Sequence, residues 1–306
     1  MIARRVSVLM GGPSAEREVS LVSGAACAKA IRALGHEVSE IDVGHDLERV
    51  VTELARAKSD IAFNALHGRF GEDGCIQGVL ELMQIPYTHS GVRASALAMD
   101  KPTARRLFAA AGLACAEGRV CTRDDVTGGH VMDPPYVIKP INEGSSVGVR
   151  IVFEGDPVPD PRDWTFGDDV LIERYIPGRE IQVAVMGDRA LGAIEIRPKG
   201  RFYDYEAKYS DGQAEHLMPA PISAAAYEEA LRIGARAHET LGCRGVSRAD
   251  LRFDDTGDGD GKFYLLEINT QPGMTPLSLV PEIAAHAGIN FGALVSWMLE
   301  DASCPR

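Results

Sequence analysis

Arg248 with Asp250, and Glu267 with Asn269, carry the clearest chemistry in this chain. Side chains two apart on a strand point to one face, so each pair would share a face in extended backbone. The segments 245–253 and 262–269 are apolar-rich, and the polar turn 254–261 separates them, which predicts a hairpin. Paired in this way, they would gather two carboxylates and an amide into an all-oxygen cluster. Hard oxygen donors suit Mg²⁺, which takes one or two carboxylates and completes its shell with water and substrate phosphates. A solvated strand face is the ordinary alternative for a carboxylate pair. Here Glu267 follows Tyr264-Leu-Leu266 in a mostly apolar strand, where an ion needs a partner. The metal site is the better reading.

Other segments carry weaker signals. Met10-Gly-Gly-Pro-Ser-Ala-Glu16 joins the first predicted strand to the first predicted helix, where backbone N–H groups and the helix dipole favour anions. Glu16 falls in that helix's first turn, and a plain helix-dipole glutamate accounts for it at least as well. Lys139 ends a predicted strand and is followed by a loop with two glycines and two serines running through Gly148, which could fold its donors over phosphates or be a simple turn. Glu173 and Glu180 flank a chain reversal that could bind an adenosine amine and hydroxyls, and a solvated linker explains it equally well. His67 ends a predicted strand, where open α/β sheets bind ligands; a lone histidine is more often structural. The stretch 198–221 lacks periodicity yet holds Phe202, Tyr203, Tyr205 and Tyr209 beside Lys208. Long aromatic-rich loops in compact domains are usually functional, so it reads as a lid. The turn 254–261 fails the calcium-loop spacing, with Thr256 and Leu265 where ligands are required.

Elements must position these residues. Strand and helix patterns alternate from residue 6: a strand at 6–10, a helix whose apolar stripe runs from Val19 to Leu34 and ends at Gly35, a strand at 37–43, a helix at 46–57 and a strand at 60–66. This order predicts a mostly parallel sheet with helices on its faces. Asp100 is placed to cap a further helix with Pro102 in its first turn. Strands recur at 136–140, 149–153 and 170–174. The fold class is therefore α/β, divided as 1–98, 99–176 and 177–306. A net charge of −12 argues against a nucleic-acid partner. The apolar run after Arg4-Arg5 is too short for a secretory signal, and no stretch suits a membrane span. Six scattered cysteines, without zinc spacing, suggest ordinary thiols in a cytoplasmic enzyme.

Taken together, the motifs resemble the D-alanine–D-alanine ligases of the ATP-grasp family. The resemblance covers nearly the whole chain, in the family's order: Gly11-Gly-Pro-Ser-Ala-Glu-Arg-Glu-Val-Ser20, Leu66-His-Gly-Arg69, Gly71-Glu-Asp-Gly74, Met99-Asp-Lys101, Glu143-Gly-Ser-Ser-Val-Gly148, Phe202-Tyr-Asp-Tyr-Glu-Ala-Lys-Tyr209 and Glu267-Ile-Asn-Thr-Gln-Pro-Gly-Met-Thr275. It implies an ATP-grasp architecture, with a Rossmann-like parallel unit followed by two α+β units that sandwich ATP. It also implies ligation of two D-alanines through a D-alanyl phosphate, for peptidoglycan precursors. Carried over by motif, Lys101, Lys139 and Lys208 would neutralise phosphates, while Asp250, Glu267 and Asn269 would hold Mg²⁺, or Mn²⁺ in its place. Glu173 and the backbone near Ile176 would read adenine, and Glu180 the ribose. Glu16 would bind the first substrate's ammonium with His67 nearby. Arg248 and the Gly273 amide would form the oxyanion site, and Ser278 and Leu279 would contact the second substrate. Glu16, Ser145 and Tyr209 would latch the lid. The resemblance also implies a homodimer acting on D-alanine and ATP, with no nucleic-acid or membrane partner.

Some positions depart from the family pattern: Pro13, Arg105 in place of a second lysine, Val246-Ser247 before the arginine, and Gln271 and Leu277 where Ser and His are familiar. Leu277 adjoins the second-substrate contacts. None of these replaces a metal ligand or phosphate lysine. The nearest rival is a D-alanine–D-lactate ligase on the same fold, against which Tyr209 resembles the dipeptide-forming type. A non-catalytic nucleotide-binding protein should have lost part of the site. A nicotinamide dehydrogenase would need the glycine fingerprint, which is absent.

Overall fold

The computed structural model describes residues 3–144, 148–160, 162, 164, 167–199, 214–257 and 259–306. Three sheets organise the chain. The first is parallel, in the order β2 (Glu37–Val43), β1 (Arg5–Gly11), β3 (Ile61–Asn64). Its central strand is buried from Val6 to Gly11, as expected for a parallel strand covered on both faces. Alternation along it splits the core. Val6, Val8 and Met10 pack towards α1 (Arg17–Ala33), while Leu9 joins the cluster under α2 (Leu47–Ala57) and α3 (Cys75–Leu82). Asp46 caps α2 by accepting the Arg49 N–H at 3.0 Å, and Lys58 ends it in the left-handed region. The third strand stops at Asn64, short of the expected residue 66. There the Asn64 Oδ1 accepts the Leu66 N–H at 3.2 Å and turns the chain out of the sheet.

After α4 (Val92–Met99), Asp100 caps α5 (Lys101–Ala110) through the Thr103 N–H at 2.8 Å, with Pro102 in the first turn as predicted. The second sheet is antiparallel, in the order β4 (Gly118–Thr122), β7 (Asp169–Arg174), β5 (Tyr136–Pro140), β6 (Arg150–Val152). Its core holds Tyr136, Ile138, Trp164 and Ile172, with Val126 from the short helix α6 (Arg123–Thr127).

The third sheet is antiparallel in the order β10 (Ala214–Leu217), β9 (Arg189–Pro198), β8 (Arg179–Met186), β11 (Val246–Asp254), β12 (Lys262–Asn269). Helix α7 (Ala224–Leu241) covers one face together with α5. Ser223 caps α7 through the Ala226 N–H, and Gly242 at φ +69° lets the chain leave it. Helices α8 (Leu279–His286) and α9 (Phe291–Asp301) pack Val280, Ile283, Leu294 and Met298 into the core shared with β1 and α1. The first and third sheets are thereby joined by one apolar cluster. No single helix among the described residues is long and apolar enough to cross a membrane.

Candidate active site

The predicted hairpin forms, with Arg248 opposite Asn269 and Asp250 opposite Glu267 on β11 and β12. The turn between the strands closes on Asp254, whose Oδ1 accepts from the Thr256 hydroxyl at 2.6 Å. Two carboxylates directly opposite each other on a sheet repel, so something must hold them there. Arg248 donates Nε and Nη2 to the two oxygens of Asp250 at 2.7 and 2.8 Å. Lys101 lies 3.6 Å from Glu267 Oε2 and donates to the Glu143 carbonyl at 2.5 Å. The Asn269 Oδ1 accepts the Gln271 N–H at 2.8 Å, which fixes the amide at the strand end. Among the described residues no group of three or more His, Cys, Asp or Glu is gathered for a metal. Two carboxylates and one amide are nonetheless the sparse, hard-oxygen set that suits Mg²⁺ with water and phosphate as its remaining ligands.

Two cavities meet at Lys101 and Glu267, which line both. Glu16, His67, Arg248, Gly273, Ser278 and Leu279 line the first. Lys139, Glu173, Ile176, Glu180 and Asp250 line the second, of about 140 Å³. Residues spread over most of the chain are thus sorted into two adjoining chambers. Ser145, Lys208 and Tyr209 lie outside the described residues, as does most of the expected lid; its two ends pair as β9 and β10.

In the first cavity the Glu16 carboxylate is buried at the start of α1. Gly68 stands at φ +68°, a conformation that favours glycine, and a Cβ there would come within 2.7 Å of Glu16 Oε2; a Cβ at Gly144 would come within 2.8 Å of the same oxygen and displace that carboxylate. His67 Nε2 contacts Ser23 Oγ at 3.2 Å. Burial first, then the Arg248 charge, pulls its pKa down to about 4, against the bond to the Gln271 backbone. Ser278 precedes α8, and its Oγ accepts the Thr275 N–H at 2.9 Å.

Glu72 lies in this cavity although sequence reasoning gave it no role. Its Oε1 accepts the Gly68 N–H at 2.6 Å, while burial, and next the Glu16 carboxylate, push its pKa well up. Its place in Gly71-Glu-Asp-Gly74 was the available signal. Gln271, a departure from the family pattern, is also explained. The Asn64 amide donates to its Oε1 at 2.6 Å, and its own amide donates to the Leu66 carbonyl. The pair ties the end of β3 to the loop after β12.

In the second cavity Glu173 is buried and paired with both Lys139 and Arg105, the latter at 2.8 Å. Lys139 and Arg105 therefore share the charge of one carboxylate. Arg252, which the sequence did not single out, donates to the carbonyls of Ile176 at 3.1 Å and Gly178 at 2.7 Å. It shapes the reversal between Glu173 and Glu180.

Three buried histidines make the fold sensitive to acid. Burial lowers His67 and His238 to about 4 and His89 to about 3, from 6.5. Their folded pKa values lie below the unfolded value, so the neutral rings contribute stability above 6.5 that is lost as pH falls towards 4. Each contributes up to about 1.4 kcal/mol per pH unit across its window. The melting temperature should fall on acidification through that range. His238→Gln, at a ring 2.7 Å from Ser247 Oγ, should flatten the fall. An identical pH profile in that variant would contradict the assignment.

A parallel α/β unit followed by two antiparallel sheets, with a cavity shared between them, is the ATP-grasp architecture. Family models for the D-ala D-ala ligase N-terminus and C-terminus match residues 45–90 and 107–300. The chain belongs to the D-alanine–D-alanine ligase family. It is 58% identical to a D-alanine–D-alanine ligase of Parvibaculum lavamentivorans, over 99% of each chain. Identity to the enzyme of that name from Paramagnetospirillum magneticum is 59%, covering 99% of this chain and 100% of the other. Among solved structures, the Bacillus anthracis D-alanine–D-alanine ligase complexed with ATP superposes with a TM-score of 0.81 at 28% identity, over 98% of this chain and 97% of that one. The VanG D-Ala:D-Ser ligase of Enterococcus faecalis superposes with a TM-score of 0.80 at 26% identity, over 98% and 99%.

Proposed function

We propose that the chain joins two molecules of D-alanine in an ATP-driven reaction, giving D-alanyl-D-alanine, ADP and phosphate for peptidoglycan precursor synthesis. The observation that carries this reading is the meeting of the two cavities at Lys101 and Glu267. One chamber offers a buried carboxylate for an ammonium group, and the other offers lysine and glutamate side chains for a nucleotide. The carboxylate of the first D-alanine attacks the γ-phosphorus, ADP leaves, and a D-alanyl phosphate forms. The amine of the second D-alanine then attacks that carbonyl, and phosphate leaves.

The residues present suit these steps. Glu16, with His67 neutral beside it, orients the first substrate by its ammonium. Lys101, Lys139 and Lys208 neutralise phosphate oxygens, Lys139 exchanging Glu173 for phosphate. Glu173 and the backbone at Ile176 read adenine, and Glu180 the ribose. Arg248 and the Gly273 N–H face the carbonyl oxygen as it gains charge, an electrostatic contribution of several kcal/mol in other enzymes. Ser278 and Leu279 contact the second substrate. Asp250, Glu267 and Asn269 would hold Mg²⁺ or Mn²⁺, which when bound supplies further charge neutralisation at the phosphates. Ser145 and Tyr209 complete the latch with Glu16, keeping water from the acyl phosphate.

The division into 1–98, 99–176 and 177–306 belongs to the same reading and is supported by the separation into three sheets. So do a homodimeric state and a cytoplasmic location, the latter supported by six unpaired cysteines.

The decisive assay supplies ATP and Mg²⁺ with D-alanine, D-lactate and D-serine in competition and identifies the product by mass. D-alanyl-D-alanine should dominate. A dominant ester or D-alanyl-D-serine would overturn the specificity. In Tyr209→Phe a weaker latch should raise ester formation relative to peptide, and an unchanged ratio would remove Tyr209 from that role.

A further inference from the structure

The third sheet carries an oxygen at this site that the reading above does not use. Gln182 on β8 stands directly opposite Asp250 on β11, which stands opposite Glu267 on β12. Directly opposed residues share a face, so Gln182, Asp250 and Glu267 form one row across three neighbouring strands. Gln182 lines the cavity with Arg248, Glu267 and Asn269. It is wholly buried. Its Nε2 donates to Glu180 Oε1 at 3.2 Å, while its Oε1 has no hydrogen-bond partner among the described residues.

The Glu180 carboxylate sets the amide's orientation. A flipped amide would place oxygen against carboxylate oxygen and lose the one bond the side chain makes among the described residues. The acceptor is therefore committed to the side away from Glu180. A buried amide oxygen left without a donor costs about 1–3 kcal/mol, and a valine or leucine would avoid that cost in the middle of this sheet. Its row neighbours cannot help, because carboxylates only accept. Arg248, the nearby donor, spends Nε and Nη2 on Asp250.

We propose that Gln182 is a further oxygen of the cation site, where its Oε1 accepts a hydrogen bond from a water bound to the cation held by Asp250 and Glu267. Mg²⁺ dehydrates reluctantly and keeps several waters. Such waters are strong donors and need acceptors. A neutral amide beside two carboxylates meets that need, and its orientation is set before the cation arrives. Gln182 is a positioning residue and does not touch the reacting atoms. The inference rests on the assignment of Asp250, Glu267 and Asn269 as the cation ligands.

The test titrates Mn²⁺ into the full chain at saturating ADP and follows free Mn²⁺ by electron paramagnetic resonance, with melting temperatures of the metal-free protein alongside. Gln182→Leu should weaken Mn²⁺ binding about 10- to 100-fold, the range for outer-shell partners of metal sites, while its metal-free melting temperature stays level or rises. Gln182→Glu, which keeps acceptor oxygens but gives up the amide's donation to Glu180, should bind Mn²⁺ more tightly than Gln182→Leu. If Gln182→Leu binds Mn²⁺ normally while Glu267→Gln does not, the cation site stands and Gln182 has no part in it. Unchanged binding in both variants would remove the cation site itself. Weak binding in Gln182→Leu and Gln182→Glu alike, with lowered metal-free melting temperatures, would make Gln182 structural and overturn the proposal.

Discussion

Glu267→Gln should yield a protein that melts near the wild-type temperature, the relieved repulsion at Asp250 being offset by the lost pair with Lys101, and forms product on the order of 10²- to 10³-fold more slowly, the scale for losing one preorganised charge-stabilising group. The two halves of this expectation come from the same geometry. Glu267 sits opposite Asp250, so the folded protein holds two like charges side by side. Removing one relieves repulsion, and the amide keeps the side-chain volume, so no cavity opens. The side chain is also partly exposed, at 29%, which limits any desolvation change. What is lost is an anionic ligand for the cation and the partner that holds Lys101 at 3.6 Å. Thermal melts and steady-state turnover, measured over a range of Mg²⁺, check both halves. Full turnover at limiting Mg²⁺ would sink the ligand assignment.

Arg248→Ala should be costly in a different way. The guanidinium grips both oxygens of Asp250, and Asp250 is 5% exposed. Removing one member of a buried pair leaves an uncompensated charge, which costs about 3–5 kcal/mol. The metal-free variant should therefore melt well below wild type. Mg²⁺ with ADP should return part of that loss, because a cation at Asp250 replaces the missing positive charge. Turnover should stay about 10²- to 10³-fold down even when the metal restores the fold, since the oxyanion donor is gone. A variant that melts like wild type and gains no more from Mg²⁺ would show that Asp250 does not depend on Arg248. Near-normal turnover would remove Arg248 from the oxyanion role.

The chain's local rules were legible in its residues. The two-residue period of the strands places Arg248 with Asp250 and Glu267 with Asn269, and the polar turn between them forces a hairpin. Asp46 and Asp100 cap the helices that they precede, because a short side-chain acceptor meets the free N–H groups of a first turn. The alternation of strands and helices over the first 66 residues dictates a parallel sheet. Ordered motifs along the chain carried the family, and through it the candidate site.

Other features depend on which distant segments the fold brings face to face. That Glu72 would share a closed space with Glu16, and so bind its proton more tightly, follows from the packing of the loop after β3 against α1. Lys139 and Arg105 meeting on Glu173, and Arg252 gripping the reversal at Ile176, each join segments that no period links. Gln182 is the sharpest instance. Its sequence neighbours mark it only as part of a strand, and its significance comes from register. One residue of slip in β8 would turn it to the opposite face of the sheet. Side-chain type, spacing and turn chemistry act over a few residues, and the sequence by itself determined the elements and the chemical inventory. Burial, register and the pairing of charges act across the whole chain, and only the tertiary structure decided which of those groups face each other and in what state of ionisation.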